Sequence, residues 1–370
     1  MLDRDGCGGK TFERTITRQG GSVTVVQGTV DPGRLADVLA PAVGGIRGPL
    51  EVSLISGGRS NPTFIVTDGS ARWILRRQPF GQVLETAHDM GREYRVMTAL
   101  WGSVVPVPRT VLLVEDPTVI GSPFYVMDDL GGRTLRNNAD TGVLSRENQQ
   151  RLGTSMMHIL ADLHELDPAK VGLADFGRPD GFLERQVRRW RKQWAGAHII
   201  ERPNLDLLLD RLAGSVPDRS FPGIIHGDYK LDNLMVDRDD PGRVVGVLDW
   251  EMSTLGDTMA DLGLCWTLWD EPGRPFNPVS AGTTAHAGFP TRQQAMDEYA
   301  RRRGIDLPDL DWYVVLAYVK IAVIVEQIHT RHVSGLTIGE GFDDSGAMTD
   351  PLLNAAMEIA ARTKVPGLRV

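Results

Sequence analysis

The sequence predicts an α+β fold in two parts, an N-terminal antiparallel sheet with a helix and a larger, mainly helical C-terminal part. Strand-like apolar runs come first, and Asp68-Gly69 supplies a tight turn between two of them. Beyond residue 131 the pattern becomes helical, and Ser145 caps a run with apolar positions every three or four residues. The strand-like runs are residues 50–56, 62–67 and 72–77. The predicted parts are an N-terminal arm (1–30), an N-lobe (31–130) and a C-lobe (131–370).

Local signals define the remaining elements. Asp31 followed by Pro32 predicts the start of a helix, and residues 1–30 are expected to form a flexible arm or an extra edge strand around Val23 to Val26. The Gly131-Gly132 pair is a candidate hinge that follows a strand. Helices are further expected at Thr86 to Leu100 and at about 180–196, and strands at 109–115 and 123–127.

Composition excludes several classes of protein. The chain has 370 residues, a formal net charge of −8 and 41% hydrophobic residues, which is ordinary for a folded protein with a core. Its longest basic run is Arg301 to Arg303, so we expect no nucleic-acid partner. Only Cys7 and Cys265 occur, which fits a reducing, cytoplasmic environment and no disulfide framework.

Neither a leader peptide nor a membrane span is expected. Residues 1–21 are polar and Gly-rich, without the apolar centre of a signal peptide. The most apolar segment, Trp312 to Ile328, contains Lys320 and Glu326 and is shorter than the roughly 20 apolar residues that a span requires. We predict a buried helix of the C-lobe there, and no membrane partner.

The most specific segment is I-I-H-G-D-Y-K-L-D-N-L-M-V-D, residues 224–237, followed by G-V-L-D-W-E at 246–251. Apolar strands flank its polar residues, so Asp228 lies on a short loop where it can orient a substrate hydroxyl for in-line attack. Asn233 and Asp249 supply an amide oxygen and a carboxylate, hard ligands of the kind that Mg²⁺ prefers. Lys230 is placed to neutralise charge on a transferred phosphoryl group.

Two nearby residues, His226 and Glu251, are not assigned a catalytic role. His226 is expected to be a packed, hydrogen-bonded structural histidine rather than a base. Glu251 is left open between an orienting carboxylate and a surface carboxylate.

These segments resemble the aminoglycoside phosphotransferase and choline kinase family, and the resemblance extends from about residue 33 to 360. It implies a protein-kinase-like two-lobe fold and an ATP- and Mg²⁺-dependent small-molecule kinase. Gly256-Asp257-Thr258-Met259-Ala260-Asp261-Leu262 is similar to the family's Gly-Asp-Pro-x-x-Asp-Leu, and Asp257 and Asp261 are interpreted as bracing groups. Leu163 to Asp167, in which His164 is interpreted as structural, and Phe182 to Trp194 resemble the subgroup of kinase-like domains fused to acyl-CoA dehydrogenases.

The resemblance also implies a nucleotide site in the N-lobe. A turn over the phosphates is expected at Ser56 to Asn61, and an Arg at position 76 stands where the family often has Lys. We expect Arg76 to pair with Glu93, the alternative being that Arg77 faces inward. The segment Tyr125 to Leu130 is expected to line the adenine pocket. The nucleotide-binding predictions are thus Gly57, Gly58, Ser60, Asn61, Arg76, Glu93, Tyr125, Met127, Asp128 and Leu130. Gly8-Gly9-Lys10-Thr11 is rejected as a P-loop because Arg4 stands where its first glycine belongs.

Two other functions and two classes of acceptor compete with this interpretation of the sequence. A protein kinase is disfavoured because seven residues between Asp249 and Asp257 leave no room for a long activation loop. A catalytically silent nucleotide-binding protein would be expected to lack Asp228, Asn233 or Asp249, and all are present. The acceptor is either a cationic aminoglycoside or a hydroxylated acyl or hydroxy-acid compound, in a pocket between the 180–200 helix and the C-terminal helices. The sequence does not set the oligomeric state.

Overall fold

The computed structural model describes residues 13–18, 21–26, 30–55, 61–79, 89–196, 200–274, 277, 279–335 and 345–370, and the chain divides into two units. Unit 1 comprises residues 1–101 and 107–130. Unit 2 comprises residues 102–106 and 131–370.

Unit 1 is built on an antiparallel sheet. Its elements are β1 (Glu13–Arg18), β2 (Gly21–Val26), α1 (Pro32–Val43), β3 (Glu51–Leu54), β4 (Thr63–Thr67), β5 (Arg72–Arg77), α2 (Met90–Leu100), β6 (Thr110–Val114) and β7 (Phe124–Asp128). Among the described residues seven strands pair in the order β1-β2-β3-β4-β5-β7-β6. The predicted meander is therefore present, and two strands of the first 30 residues extend its edge. Strand β7 lies between β5 and β6.

The core of unit 1 lies between α1 and the sheet. Leu35 and Leu39 of α1 are fully buried against Phe64, Leu75 and Val126 of the strands, because the helix presents its apolar face at a spacing of three to four residues. The predicted start of α1 is confirmed. Asp31 accepts hydrogen bonds from the backbone amides of Gly33 (2.8 Å) and Arg34 (3.2 Å).

Unit 2 is mainly helical. Its elements are β8 (Arg133–Thr134), α3 (Asn138–Gly142), α4 (Arg146–Glu165), α5 (Phe182–Ala195), α6 (Pro203–Gly214), β9 (Pro222–Ile225), β10 (Leu234–Val236), β11 (Val244–Val247), β12 (Thr254–Asp257), α7 (Met259–Leu268), α8 (Arg292–Arg303), α9 (Leu310–Val333) and α10 (Ser345–Arg362). In the described part of this unit the strands form two small sheets, β11-β10-β8 and β12-β9. Ser145 caps α4 as predicted, accepting from the amide of Asn148 at 3.1 Å.

Helix α9 is the centre of unit 2 and packs against α7 and α10. Its length and composition would suit a membrane span, yet 67% of its most apolar window is buried inside the protein. The prediction of a buried helix at Trp312 to Ile328 is confirmed. Its approach to α7 is close, since a Cβ on Gly263 would lie 2.6 Å from the backbone carbon and oxygen of Tyr313.

At both positions of the candidate hinge, Gly131 and Gly132, the local structure favours glycine. Gly131 has a φ of 66°, in the left-handed region. Gly132 lies against β10, where an added Cβ would be 2.5 Å from Met235 Cγ and 2.6 Å from the carbonyl oxygen of Val236. Close packing accounts for the second glycine, and the hinge itself stays a prediction.

Candidate active site

The loop between β9 and β10 brings three of the predicted residues together. Asn233 Nδ2 donates to the Asp228 carboxylate and to the Asp228 carbonyl, each at 2.9 Å. Lys230 Nζ lies 3.1 Å from the same carboxylate. A short 3-10 turn, Leu231–Asn233, leads directly into β10 and fixes the far end of the loop. Asp228 is therefore held by a donor amide and an ammonium group on a loop anchored by strands at both ends.

Asp249 reaches the same end of a β-hairpin as Asn233. Strands β10 and β11 pair antiparallel with Leu234 opposite Val247, and the amide of Leu248 donates to the carbonyl of Asn233 at 2.9 Å. Asp249 is the next residue, and its backbone is left-handed, with φ 64° and ψ 62°. A non-glycine residue in this region carries strain, which is common at functional sites. The hairpin register thus places the two predicted metal ligands on neighbouring strand ends.

The donor set fits Mg²⁺ better than a transition metal. The site offers an amide oxygen from Asn233 and a carboxylate from Asp249, and Mg²⁺ accepts few protein oxygens while retaining water and substrate phosphates. Over the described ranges no cluster of three or more His, Cys, Asp or Glu side chains has the geometry of a metal site. A site of the zinc type is thus not seen in that part of the chain.

His226 is structural, as its hydrogen bonds show. Its ring is buried, Nε2 lies 2.9 Å from the carbonyl oxygen of Leu248, and Nδ1 accepts from the amide of Asp228 at 3.2 Å. A ring that donates at Nε2 and accepts at Nδ1 is the neutral tautomer. His226 therefore connects the Asp228 loop to the strand end that carries Asp249.

Asp261, at the start of α7, braces the same loop. Its carboxylate accepts from the amides of His226 (2.6 Å) and Gly227 (2.8 Å) and lies 3.3 Å from His164 Nε2. Burial opposes the charged form, but the hydrogen bond from His164 and the loop amides hold the pKa of Asp261 below its ordinary value. The ionised carboxylate is thus the form that the fold stabilises.

Asp257 braces the chain at the end of β12. It accepts from the amides of Phe221 (3.2 Å) and Met259 (3.0 Å) and from the Tyr313 hydroxyl (3.2 Å). Burial raises its pKa. Both aspartates of the 256–262 motif therefore act on backbone amides, in agreement with their interpretation as bracing groups.

In unit 1 the expected ion pair between Arg76 and Glu93 is present. Arg76 Nη1 lies 3.0 Å from Glu93 Oε2, with side-chain exposures of 11% and 0%. Glu93 also accepts from Asn61 Nδ2 at 3.1 Å and from the Tyr125 hydroxyl at 2.9 Å. One buried carboxylate on α2 thereby holds three of the residues predicted to bind nucleotide.

Arg77 occupies a different environment from Arg76. Its Nη1 donates to the carbonyl oxygen of Gln78 at 2.8 Å, and its guanidinium carbon lies 5.6 Å from the centre of the Phe64 ring. Burial lowers the pKa of Arg77. Of the two arginines, Arg76 is the one that pairs with the α2 glutamate.

The segment Tyr125 to Leu130 is only partly available to a base. Residues 124–128 pair on both edges, with β5 and with β6, and the Asp128 carboxylate is bound by Arg109 at 2.8 Å and 3.2 Å. Met127 is buried. Because the backbone of residues 124–128 is already paired within the sheet, only the backbone of residues 129 and 130 is left to pair with the edge of an adenine base. Gly57, Gly58 and Ser60, predicted to cover the phosphates, lie outside the described residues.

A cavity of about 80 Å³ in unit 2 lies beside the Asp228 loop, among α5, α7 and α9. Most of its wall is apolar, and two cations, Arg189 and Lys320, also line it. Lys320 Nζ donates to the carbonyl oxygen of Gly227 at 2.6 Å. The remaining lining residues are Phe182, Gln186, Trp190, Ile225, Gly227, Met252, Thr254, Ala260, Asp261, Leu264, Tyr313, Leu316 and Ala317.

The position of Lys320 beside this loop was not predicted from the sequence, where the residue is visible only as an interruption of an apolar helix. A single lysine among buried apolar residues was itself the available signal, since a charge in such a place needs a partner. The partner, a loop carbonyl 93 residues away, has no local sequence signature.

Comparisons with known proteins show which family this chain is similar to. Residues 51–305 match the model of the phosphotransferase enzyme family. The chain is 33% identical over 322 residues to acyl-CoA dehydrogenase family member 11 of Rattus norvegicus, and 30% identical over 320 residues to family member 10 of Mus musculus. These regions cover 86% and 85% of this chain but only 41% and 30% of the relatives, so the chain spans less than half of their length.

Solved structures show the same fold. One solved structure, from Ralstonia eutropha, carries the name of an aminoglycoside phosphotransferase. It is 33% identical to this chain with a TM-score of 0.78, and the match covers 90% of this chain and 99% of that one. A thermostable mutant of aminoglycoside phosphotransferase APH(4)-Ia, solved with AMP-PNP and hygromycin B, is 15% identical to this chain with a TM-score of 0.59. The match covers 89% of this chain and 99% of that one. The predicted protein-kinase-like α+β fold is confirmed.

Proposed function

The chain belongs to the phosphotransferase enzyme family, and from this we propose that it transfers the γ-phosphate of ATP, with Mg²⁺, to a hydroxyl group of a small molecule. The observation that carries the proposal is the arrangement of Asp228 with Lys230 and Asn233 on one anchored loop, beside the strand end that bears Asp249. The Asp228 carboxylate is held by both Asn233 Nδ2 and Lys230 Nζ, which favours Asp228 as the residue that contacts the acceptor hydroxyl.

Asp228 accepts the proton of the acceptor hydroxyl in the proposed reaction. The acceptor oxygen forms a bond to the γ-phosphorus, the bond from that phosphorus to the ADP oxygen breaks, and the proton passes to the carboxylate. Asn233 Nδ2 holds the carboxylate in place at 2.9 Å, and Lys230, at 3.1 Å, supplies positive charge beside it. Orientation and charge are the contributions expected in phosphoryl transfer.

Asn233 and Asp249 would hold Mg²⁺ through an amide oxygen and a carboxylate oxygen. A bound Mg²⁺ neutralises charge on the nucleotide phosphates. In unit 1, Arg76 would bind phosphate oxygens while Glu93 fixes its guanidinium at 3.0 Å. Gly57, Gly58 and Ser60, and the segment that ends at Leu130, keep their proposed nucleotide-binding roles.

The lining of the unit 2 cavity favours a hydroxylated acyl or hydroxy-acid acceptor over an aminoglycoside. Its wall is mostly apolar, and its charged lining residues are two cations, Arg189 and Lys320, and one carboxylate, Asp261. Backbone amides of the loop already bind that carboxylate, so the two cations would attract a carboxylate or another anion in preference to a polycation. The curated relatives are named as acyl-CoA dehydrogenase family members, which agrees with an acyl compound. The solved relatives bound to hygromycin B and kanamycin are 15% and 14% identical and support the fold alone.

A panel of acceptors tests the reaction and its substrate class together. ATP labelled in the γ-phosphate is incubated with Mg²⁺ and with hydroxy acids, hydroxyacyl thioesters, choline-like alcohols or aminoglycosides, and label in the acceptor is measured. We expect transfer to the anionic acceptors, and none by Asp228→Ala.

Two results would count against the proposal. Transfer only to aminoglycosides would overturn the substrate class and leave the kinase activity intact. No transfer, together with ATP hydrolysis no faster than that of Asp228→Ala, would indicate a catalytically silent nucleotide-binding protein.

A further inference from the structure

The peptide group that joins Gly227 to Asp228 is held at both of its polar ends. Its N–H donates to His226 Nδ1 at 3.2 Å, and its C=O accepts from Lys320 Nζ at 2.6 Å. This peptide plane fixes the position of the Asp228 Cα atom, because only the soft φ and ψ angles remain on either side of it. Rotation of the plane would displace the carboxylate that the proposed reaction uses.

The conformation of this turn leaves little freedom on its other sides. Gly227 has a φ of 84°, and a Cβ there would lie 2.5 Å from the carbonyl oxygen of Met252. The amides of His226 and Gly227 are bound by Asp261 at 2.6 Å and 2.8 Å. Helix α7 therefore holds the amides of the turn, and the carbonyl of Gly227 is held from another helix.

That other helix is α9, a 24-residue helix of the unit 2 core. Lys320 is partly buried on it, next to apolar neighbours that are buried, and burial lowers its pKa. Asp228 and Asp261 face its ammonium group, as do the cations Arg189 and Lys230. A lysine in this setting is costly to desolvate, and the loop carbonyl supplies the hydrogen-bond partner that its ammonium group needs.

We propose that Lys320, besides lining the cavity assigned to the acceptor, is a positioning residue for the transfer step and fixes Asp228 through the Gly227 carbonyl. This inference rests on the proposed kinase function. It predicts that loss of Lys320 reduces kcat rather than nucleotide binding, and that the reduction depends on the presence of the Asp228 carboxylate. A residue needed only for folding would show neither property.

The test measures steady-state hydrolysis of MgATP, with water as acceptor, by the full chain. We expect Lys320→Met to lower kcat by about 10- to 100-fold while KM for MgATP changes less than about threefold, since a small displacement at a reacting group has effects of this size. Lys320→Arg, which retains a charged donor, should recover part of the loss. Lys364→Met, the same change at an exposed lysine, is the control and should behave as wild type.

A double-mutant cycle gives the decisive readout. In an Asp228→Asn background, adding Lys320→Met should lower kcat by less than about threefold, because residues that act as a unit are not additive. If Lys320→Met lowers kcat by the same factor in the wild-type and Asp228→Asn backgrounds, or does not lower it at all, the positioning role of Lys320 is overturned. The kinase function would be unaffected by either result. Wild type that hydrolyses MgATP no faster than Asp228→Asn, and that transfers phosphate to none of the acceptors in the panel, would overturn the kinase function and this inference with it. If Lys320→Met does not fold, Lys320→Gln replaces it with the same expectations.

Discussion

Asp249, the proposed carboxylate ligand of Mg²⁺, has a left-handed backbone conformation that non-glycine residues rarely adopt. Its φ of 64° lies where an L-residue is destabilised by about 1–2 kcal/mol relative to the right-handed region. Sequence reasoning identified the carboxylate, since an Asp after an apolar strand is visible in the chain. The strain was not predictable, because it follows from the pairing of β11 with β10 and from the turn after it.

Replacing Asp249 by glycine should therefore separate stability from activity. We expect the free energy of unfolding of Asp249→Gly to stay constant or rise by up to about 1 kcal/mol, because glycine tolerates positive φ. Magnesium-dependent ATP turnover should fall on the order of 10²-fold as a ligand is lost. Urea denaturation and a Mg²⁺ titration of the rate measure the two effects.

Asp309 provides the matched control for this prediction. It has a φ of 56° at the start of α9, and its side chain makes no capping hydrogen bond. Asp309→Gly should gain similar stability and retain full activity. A large loss of stability in Asp249→Gly, with none in Asp309→Gly, would contradict the account of strain at the site.

Asp68 organises the turn between β4 and β5 through its carboxylate. The amides of Arg47 (2.9 Å), Ala71 (2.8 Å) and Ser70 (2.8 Å) all donate to it. These bonds, that from Arg47 first, hold its pKa well below its ordinary value of 3.8. The sequence predicted the turn from Asp68-Gly69, whereas the bond from Arg47, 21 residues earlier, had no sequence signal.

The lowered pKa of Asp68 predicts an acid-dependent loss of stability. The folded state binds fewer protons than the unfolded state below pH 3.8, so the contribution is fully present above that pH and is lost as pH falls further. In urea denaturation between pH 5 and 2.5, Asp68→Asn should show a shallower decline than wild type. Asp37→Asn, at an exposed carboxylate on α1, controls for the charge removed. Parallel curves for wild type and Asp68→Asn would contradict the assignment.

At the scale of elements, local signals predicted five helices, α1, α2, α4, α5 and α9, and the meander, whereas the other helices and the long-range strand pairing were not predicted. The caps at Asp31 and Ser145 are encoded within a few residues, so α1 and α4 begin where expected. Strand β8 has two residues and pairs with β10 about 100 residues later, which no local pattern indicates. Strand β1 was likewise missed, since only its neighbour has an apolar run.

The contact between α7 and α9 depends on a glycine. Gly263→Ala would raise helix propensity by about 1 kcal/mol, but its Cβ would meet the Tyr313 backbone at 2.6 Å. We expect the steric clash to outweigh the gain in helix propensity and to lower the free energy of unfolding by about 1–3 kcal/mol, as in other overpacked cores. Chemical denaturation measures the change.

Gly214, at the end of α6, is the control for that substitution. A Cβ there would meet nothing within 4 Å. Gly214→Ala should leave stability unchanged or slightly increased. If Gly263→Ala were as stable as Gly214→Ala, the claim that α7 and α9 approach too closely for a Cβ at position 263 would be contradicted.

For the whole molecule, the sequence was sufficient to identify the family and its fold, and insufficient to identify the acceptor. The residues proposed to have chemical roles lie in short motifs, and the family match at residues 51–305 spans almost all of them. The residues that favour an anionic, partly apolar acceptor, Arg189 and Lys320, belong to different helices of unit 2 and meet only in the folded chain. The chain also spans only 41% of the length of one acyl-CoA dehydrogenase relative.

The most direct test of the central claim is the rate of magnesium-dependent phosphate transfer from ATP by wild type and by Asp228→Asn. Asp239→Asn, an exposed aspartate in the β10–β11 turn, is the matched control. We predict that Asp228→Asn lowers kcat by about 10²- to 10⁴-fold, because it removes the proton acceptor, and that Asp239→Asn retains the wild-type rate. Equal rates in wild type and Asp228→Asn would contradict the assignment of Asp228 and the kinase function that rests on it.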